Sequence, residues 1–282
     1  MKMNALYRVT GTSKQAFHQY LDKQMLILEE QQQLLSVIGD VRADHPRMSA
    51  RIMYLLPQPQ TMGRDGFEQF CYRYGFKLSV KRAYHRTTNP LGVTRFENLT
   101  AGLELTGVNQ VWVSDITYYR IGERFYYITF ILDLFSRFIV GHAVSECLLT
   151  AHTTIPALNM ALKLRGPEHG LIFHSDGGGQ YYCKAFLALT KSNHIQSSMC
   201  ESVYENAHAE RINGTVKNDY LAYYAPKDYQ QLIMLTDKAV KMYNFYRPHS
   251  ALANISPADY ELSTKLLLVN KEKRSKKEIL QQ

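Results

Sequence analysis

Three acidic residues stand at positions where a folded chain could gather them around a metal ion. Asp176 follows the apolar run at 171–173 and precedes three consecutive glycines. Asp115 lies in a run rich in Val, Ile and Tyr, and Glu210 lies in the first turns of a predicted helix. Carboxylates brought close together repel one another unless a cation neutralises them, so this grouping indicates a divalent metal site. Oxygen ligands without a His or Cys cluster favour Mg²⁺ or Mn²⁺ over Zn²⁺.

The glycines after Asp176 have three interpretations. Asp-Gly is a strong turn signal, so a plain turn is the simplest of them. A nucleotide loop is disfavoured, because the spacing is not G-x-G-x-x-G and no Lys-Ser/Thr pair follows. The third is a metal-binding carboxylate at a strand end, where missing side chains allow a bulky polyanion to approach. This last interpretation requires the other two acids as partners.

The predicted helix that carries Glu210 has further polar residues close to one face. Asn206, Glu210 and Lys217 lie at i, i+4 and i+11, and Asn213 is near the same stripe. Such a stripe could bind a metal and then a phosphate backbone, whereas each residue alone is typical of a solvated helix face. We predict DNA contacts at Lys217, Arg211, Asn206, Asn213, Gly178 and Arg247. We interpret His174, Asp133 and Trp112 as residues that lie near the site or serve the fold.

Apolar patterning predicts the elements that position these residues. Three runs rich in β-branched and aromatic residues predict an antiparallel meander at 110–121, 124–136 and 137–146. Two further strands, at 171–176 and 195–199, alternate with helices at 150–166, 183–193, 205–224 and 228–246. This order predicts an α/β fold, a mixed five-stranded sheet with helices on both sides. If its first and fourth strands are neighbours, Asp115 and Asp176 lie side by side, and a crossing helix can add Glu210.

Changes in composition predict the domain organisation. The predicted parts are a helical, helix-turn-helix-like DNA-binding region at 1–78, a linker at 79–108, the α/β core at 109–225, a C-terminal helical extension at 226–264 and a basic tail at 265–282. In the first part, helical patterns cover 9–24, 29–56 with a break near Pro46, and 64–76. The helix-turn-helix signal is weak, because any small helical hairpin produces it.

Composition and charge narrow the class of protein. The 282 residues are 45% hydrophobic and 21% charged, which is typical of a globular protein, and no apolar run is long enough to span a bilayer. The four cysteines lack C-x-x-C spacing, so we expect reduced thiols in a cytoplasmic protein rather than a zinc site. Lys and Arg outnumber Asp and Glu by 14 to 8 in residues 1–100 and by 6 to 2 in residues 265–282. In residues 101–264, 13 Lys and Arg face 15 Asp and Glu. Basic arms around a slightly acidic centre suit a polyanion-binding protein, although many soluble proteins have basic tails without a ligand.

Five motifs, in this order, resemble the orfB-type transposases of bacterial insertion sequences (the IS-three group), which are relatives of retroviral integrases. The matching motifs are Trp112-x-x-Asp115-Ile-Thr, Leu132-Asp133-x-Phe135-Ser136-Arg137, His174-Ser-Asp176-x-Gly178-x-Gln180-Tyr181, Asn206-Ala-x-Ala209-Glu210-Arg211 and Tyr243-Asn244-x-x-Arg247-Pro248-His249. The resemblance extends from about residue 30 to 260. It implies an RNase H-like core with a D, D, E triad at Asp115, Asp176 and Glu210. The interval of 33 residues between the last two is slightly shorter than usual, which we interpret as a trimmed loop.

The same resemblance implies the activity and its partners. The expected function is a DDE transposase that binds element ends and uses two Mg²⁺ or Mn²⁺ ions for DNA 3′-end cleavage and strand transfer. The expected partners are DNA (element ends and target), a second copy of the chain bound to the DNA, and an upstream-frame orfA-type protein. No association with a membrane is expected. The expected location is the bacterial cytoplasm, associated with the nucleoid. An RNase H-like nuclease or resolvase without strand transfer, and a DNA-binding regulator with a decayed core, are the alternatives.

Overall fold

The computed structural model describes residues 7, 9, 11–78, 96–167, 170–200 and 207–267. The chain divides into two compact units, Met1–Val80 and Lys81–Gln282. Neither the predicted DNA contact Asn206 nor most of the loop before it falls within the described residues. No described helix is both long and apolar enough to cross a membrane.

The first unit is built from helices α1 (Lys14–Asp44), α2 (Ala50–Met53) and α3 (Arg64–Arg73). Helix α1 begins where the Ser13 side chain accepts the Ala16 N–H, and it ends just before Pro46, which cannot continue a helix. The patterns at 9–24 and 29–44 therefore belong to one helix rather than two, because good helix formers and no Gly or Pro stand between them. Eight buried side chains form the core of this unit: Leu34, Ile38, Met48, Ala50, Met53, Phe67, Phe70 and Cys71.

The second unit contains the predicted mixed five-stranded sheet. Its strands are β1 (Val111–Ile121), β2 (Arg124–Asp133), β3 (Ile139–Ser145), β4 (Ile172–Ser175) and β5 (Gln196–Met199), in the order β3-β2-β1-β4-β5. The meander β1-β2-β3 is antiparallel, whereas β4 is parallel to both β1 and β5. The first and fourth strands are thus neighbours, as the triad hypothesis requires.

Helices cover both faces of this sheet. Their bounds are α4 (Thr154–Arg165), α5 (Lys184–Ser192), α6 (Ala207–Thr215), a π-helical segment (Val216–Leu221), α7 (Ala222–Tyr224), α8 (Tyr229–Tyr246) and α9 (257–267). Side chains alternate along β1, so Val111 and Val113 join the core under α6 and α8, and Trp112 joins the core under α4 and α5. The same alternation directs Asp115 toward α6.

Helix α4 packs very closely on the edge strand β3. A Cβ atom at Gly141 would overlap the carbonyl oxygen of Ala157 and would lie 3.0 Å from the Ala161 Cβ. Small residues on both elements therefore allow this contact, which buries Ala157 and Ala161 completely.

Part of the predicted linker at 79–108 packs on the sheet instead. The ring of Phe96 stacks on Tyr182 with 5.5 Å between centroids, and the Leu99 N–H donates to the Ser198 side chain of β5 at 2.9 Å. Residues from Phe96 onward therefore belong to the core, and 79–95 lie outside the described residues. The sequence pattern missed this because the segment has no regular secondary structure to reveal its packing.

Helix α9 is tied to the core by an ion pair. The Arg165 guanidinium donates to both Glu261 carboxylate oxygens, at 2.7 and 2.8 Å, and the Ser136 hydroxyl donates to the same carboxylate at 2.6 Å. Both partners of the ion pair are largely buried, so the pair is shielded from solvent. Helix α9 is therefore held against α4 and the turn between β2 and β3.

Candidate active site

Asp115 is partly buried within β1, and its side chain contacts α6. Its Oδ1 accepts the Ile116 N–H at 2.8 Å, and its Oδ2 accepts the Asn213 side-chain amide at 2.8 Å. Burial, with the negative charges of Asp176 and Glu210, raises the pKa of Asp115 from 3.8 to about 7, against these hydrogen bonds. The carboxyl group is therefore held in a place where a negative charge is costly.

Asp176 lies beside Asp115 because β4 is parallel to β1. Ser175, the last residue of β4, pairs in register with Ser114, so Asp176 follows the end of β4 beside Asp115, which lies within the longer strand β1. Burial raises the pKa of Asp176, while the Gly178 N–H, which donates to its Oδ1 at 3.1 Å, opposes that shift. The Tyr182 hydroxyl donates to the Asp176 carbonyl oxygen at 2.6 Å and fixes the backbone at this point.

Glu210 lies in the first turn of α6 and is exposed to solvent. Its charge contributes to the raised pKa of Asp115, so the structure brings the three predicted acids into one region. Within the described residues, no three His, Cys, Asp or Glu side chains form a closed ligand set for a metal ion. The negative charges of the three acids therefore interact, although their side chains do not form a closed ligand set.

A small open cleft of about 240 Å³ contains two of these acids. Its lining includes Asp115, Asp176, Gly178, Gln180 and Tyr118. A larger cavity of about 680 Å³ lies beside β3 at His142 and Asp237 and contains none of the predicted site residues. The position of the carboxylates, rather than the size of the cavity, identifies the smaller cleft as the candidate active site.

The three glycines after Asp176 differ in what they make possible. A Cβ at Gly178 would lie 2.9 Å from Asp176 Oδ1, and one at Gly177 would lie 2.8 Å from the Met199 methyl group. A Cβ at Gly179 would meet nothing within 4 Å. Gly178 is therefore needed for the close approach of the chain to the Asp176 carboxylate, and its backbone φ of −64° is an ordinary one.

Two predicted DNA contacts on the helix after Glu210 are directed into the protein. Asn213 is 6% exposed and holds Asp115, which makes it a positioning residue for that carboxylate. The Lys217 ammonium donates to the Tyr118 carbonyl oxygen at 3.2 Å and lies 4.6 Å from the centre of the Tyr118 ring. Burial lowers the pKa of Lys217. Lys217 therefore borders the cleft from the π-helical segment, and a contact with DNA there stays a prediction.

The other predicted residues occupy several environments. Arg211 is exposed on α6, whereas Arg247 is 8% exposed and donates to Asp219 at 2.6 Å. The ion pair with Asp219 keeps most of the Arg247 side chain inside the protein, and a contact of Arg247 with DNA stays a prediction. Arg211 and Gly178 remain predicted DNA contacts.

The three residues interpreted as near-site or structural are all buried. The ring of His174 hydrogen-bonds to Ser198 of β5 at 2.9 Å, and the Trp112 indole N–H donates to Asn109 at 3.3 Å. Asp133 accepts backbone N–H groups of Asn109, Phe135 and Ser136 at 2.6 to 3.0 Å, which shapes the turn after β2. None of the three side chains lines the cleft.

Sequence patterns missed the residues that support the site from behind. Tyr181 and Tyr182 are buried, and their hydroxyls bond to Ser114 and to the Asp176 carbonyl oxygen. The only sequence signal is a pair of tyrosines one residue after the three glycines, and it equally suits a surface that lines DNA. Their hydrogen bonds depend on the tertiary fold, which local patterning does not encode.

Comparisons with known proteins agree with this arrangement. Two profiles, both described as integrase core domain, match residues 106–203 and 194–257. The first match includes Asp115 and Asp176, and the second includes Glu210. The chain is 33% identical over 207 residues to the uncharacterized 31 kDa protein of insertion element IS600 from Shigella sonnei, covering 71% of this chain and 75% of that protein.

The chain belongs to the IS3 family of insertion-sequence transposases. It is also 31% identical over 160 residues to transposase InsF for insertion sequence IS3A from Escherichia coli K12, covering 55% of each protein. The fold of this transposase resembles that in the simian T-cell lymphotropic virus intasome in complex with the PP2A regulatory subunit B56 gamma, with a TM-score of 0.50 and 16% identity over 71% of this chain and 67% of that one. Homology thus supports a transposase function and a polynucleotidyl-transferase type of enzyme.

Proposed function

We propose that this chain is a metal-dependent DDE transposase that binds element ends, cleaves DNA at the 3′ end and transfers the strand to a target. The observation that carries the proposal is the grouping of Asp115, Asp176 and Glu210, whose charges interact in a chain of the IS3 family. Action as a homo-oligomer on DNA, in the nucleoid, with an orfA-type partner is part of the same proposal.

The acids fit a divalent metal by charge and by donor chemistry. Asp115 and Asp176 are partly buried acids with raised pKa values, and a bound cation would remove the electrostatic cost of ionising them. Together with Glu210 they offer only carboxylate oxygens, the donors that Mg²⁺ and Mn²⁺ prefer. When bound, a pair of such ions would activate the attacking hydroxyl and stabilise the leaving oxygen at a phosphodiester.

The protein's own contribution is to orient these carboxylates before DNA arrives. Asn213 and the Ile116 N–H hold the two oxygens of Asp115, and the Gly178 N–H holds one oxygen of Asp176. The cleft is open and is lined in part by Gly178, which leaves room for a sugar-phosphate backbone. Fixed ligands cost less reorganisation during the reaction than mobile ones do.

A strand-transfer assay tests this function. The substrate is a labelled duplex that carries an element terminus with a pre-cut 3′ end, incubated with target plasmid and Mg²⁺ or Mn²⁺. Joined products, dependent on metal, are expected. Cleavage without joining would identify a nuclease or resolvase, and metal-independent binding without cleavage would identify a regulator.

Replacement of Gly178 by Ala should impair this activity selectively. The new Cβ would crowd Asp176 Oδ1 and displace the carboxylate, so we expect strand transfer to fall about 10- to 100-fold, as small misplacements of reacting groups do. Gly179→Ala is the matched control, because its Cβ meets nothing within 4 Å. Initial rates of joining and thermal unfolding are measured for both variants. Equal rates in the two variants would show that the approach at Gly178 does not matter for the chemistry.

A further inference from the structure

Several cationic and donor side chains from three parts of the chain interact electrostatically with one another. We call this group the arginine–histidine cluster, and its members are Arg137, His208, Arg211, Tyr243, Arg247 and His249. They come from the turn after β2, the first turns of α6, and the end of α8 with the turn that follows. The Asn244 side chain bonds both backbone groups of Ile139, at 2.9 and 3.0 Å, and so holds the turn with Arg137 against α8.

Three buried hydrogen-bond donors in this cluster have no acceptor among the described residues. They are Arg137 Nη1, Arg247 Nη1 and the Tyr243 hydroxyl, and Tyr243 is only 1% exposed. A buried donor without an acceptor destabilises the fold, and native proteins seldom leave several of them together. Donors that share one region and lack acceptors indicate a place for an anion.

Electrostatics within the cluster also favour an anion. Burial, followed by the charges of Arg137, Arg247 and Arg211, lowers the pKa of His249 to about 4. Two nearby carboxylates are already engaged: Asp219 pairs with Arg247, and Asp133 accepts the backbone N–H groups of its own turn. Glu210, which precedes Arg211, belongs to the acid group of the proposed active site. Among the described residues, Arg137 and Arg211 therefore form no ion pair.

We propose that the arginine–histidine cluster binds a phosphate group of the DNA strand on which the acids act, a statement that rests on the proposed function. Guanidinium groups match phosphate oxygens in geometry and charge, and tyrosine adds a neutral donor. Glu210 and Arg211 are consecutive on α6, so one phosphate at the acids and another at the cluster can belong to the same strand. The cluster would then fix the register of the strand without reading its bases.

The test measures DNA binding without divalent metal, so that an inactive enzyme leaves it interpretable. Variants Arg211→Gln, Arg137→Gln and Tyr243→Phe are compared with Lys163→Gln, an exposed cation on α4 that serves as the charge-matched control. Fluorescence anisotropy with a labelled element-end duplex gives the affinity at several salt concentrations. Each arginine variant should bind roughly tenfold more weakly at low salt, with a slope of log K against log salt reduced by about 0.9.

Tyr243→Phe separates a specific site from general positive charge. It removes one neutral donor, so affinity should fall about threefold while the salt slope stays that of the wild type. Wild-type affinity and slope in both Arg211→Gln and Tyr243→Phe would overturn the proposal. Arg211 is exposed, so its replacement should fold, even if Arg137→Gln does not.

Inorganic phosphate distinguishes a DNA phosphate from a free anion. Phosphate should raise the thermal midpoint of the wild type above that in chloride of equal ionic strength, and Arg137→Gln or Arg211→Gln should reduce this shift. Stabilisation by phosphate together with unchanged DNA binding in the arginine variants would overturn the proposal in favour of a free-anion site. If the variants lose stability equally in chloride and phosphate and bind DNA as the wild type does, the cluster has only a structural role.

Discussion

Replacement of Asp115 by Asn is expected to reduce strand transfer by at least about a thousandfold, which corresponds to roughly 4 kcal/mol of lost transition-state stabilisation. The amide keeps the size of the side chain but removes the charge that would hold a divalent cation. Its hydrogen bonds can survive, because the Asn213 Oδ1 has no partner among the described residues and a rotated Asn213 amide could accept from it. The measurement is the initial rate of joining at saturating Mg²⁺.

Asp237→Asn is the matched control for this prediction. Asp237 is an exposed acid at the cavity beside β3, where it pairs with His142, and it lies outside the cleft with the acids. Its replacement should leave strand transfer within about twofold of the wild type, as expected for an exposed ion pair. An Asp115→Asn protein that joins DNA nearly as fast as Asp237→Asn would remove the carboxylate triad from the mechanism.

The same substitution should stabilise the metal-free protein at pH 8. In the fold the pKa of Asp115 is raised from 3.8 to about 7, so the folded state binds this proton more tightly than the unfolded chain does. Stability from this group is complete below pH 4 and is lost as the pH rises through about 7. Removing the buried charge should therefore increase the free energy of unfolding by about 2–4 kcal/mol at pH 8 and hardly at all at pH 4. Urea unfolding with EDTA, at both pH values, measures the difference.

Asp133→Asn, a substitution on the same sheet, should instead lower the free energy of unfolding. Asp133 accepts three backbone N–H groups with both of its oxygens, and an amide cannot accept them all. We expect a loss of about 1–3 kcal/mol. If Asp115→Asn also lowers the free energy of unfolding at pH 8 without metal, the ionised Asp115 carboxylate does not destabilise the folded protein. With saturating Mg²⁺ the wild type should gain stability and Asp115→Asn should not, because only the native site binds the ion.

Much of the core could be predicted because its patterns are local. The strands β1, β2 and β4 are dense in β-branched and aromatic residues. Asp115 lies within β1 and Asp176 directly follows β4, so the neighbouring positions of the two acids follow once β1 pairs with β4. The single helix α1 was predicted as two, because variation in polarity along the helix resembles an interruption, although no Gly or Pro stands between the two patterns at residues 25–28.

The identity of the supporting residues could not be predicted in this way. Asn213 shares a helix stripe with Glu210 and Lys217, and a stripe shows which residues lie together without showing whether they face solvent or protein. Only tertiary packing places the Asn213 amide on Asp115 and the Arg247 guanidinium on Asp219. Arg211 and Arg247 were predicted as DNA contacts, but their grouping with Arg137 was not predicted, because these residues come from three separate parts of the chain.

The contact of Glu261 with Arg165 and Ser136 bears on where this protein can be shortened. The second integrase-core match ends at residue 257, which would be a natural place to truncate a recombinant fragment. Such a fragment would lack Glu261. The largely buried Arg165 would then lose its counter-ion, and the Ser136 hydroxyl, next to Arg137, would lose an acceptor. A fragment that keeps this ion pair must therefore extend past Glu261, beyond the end of the integrase-core match.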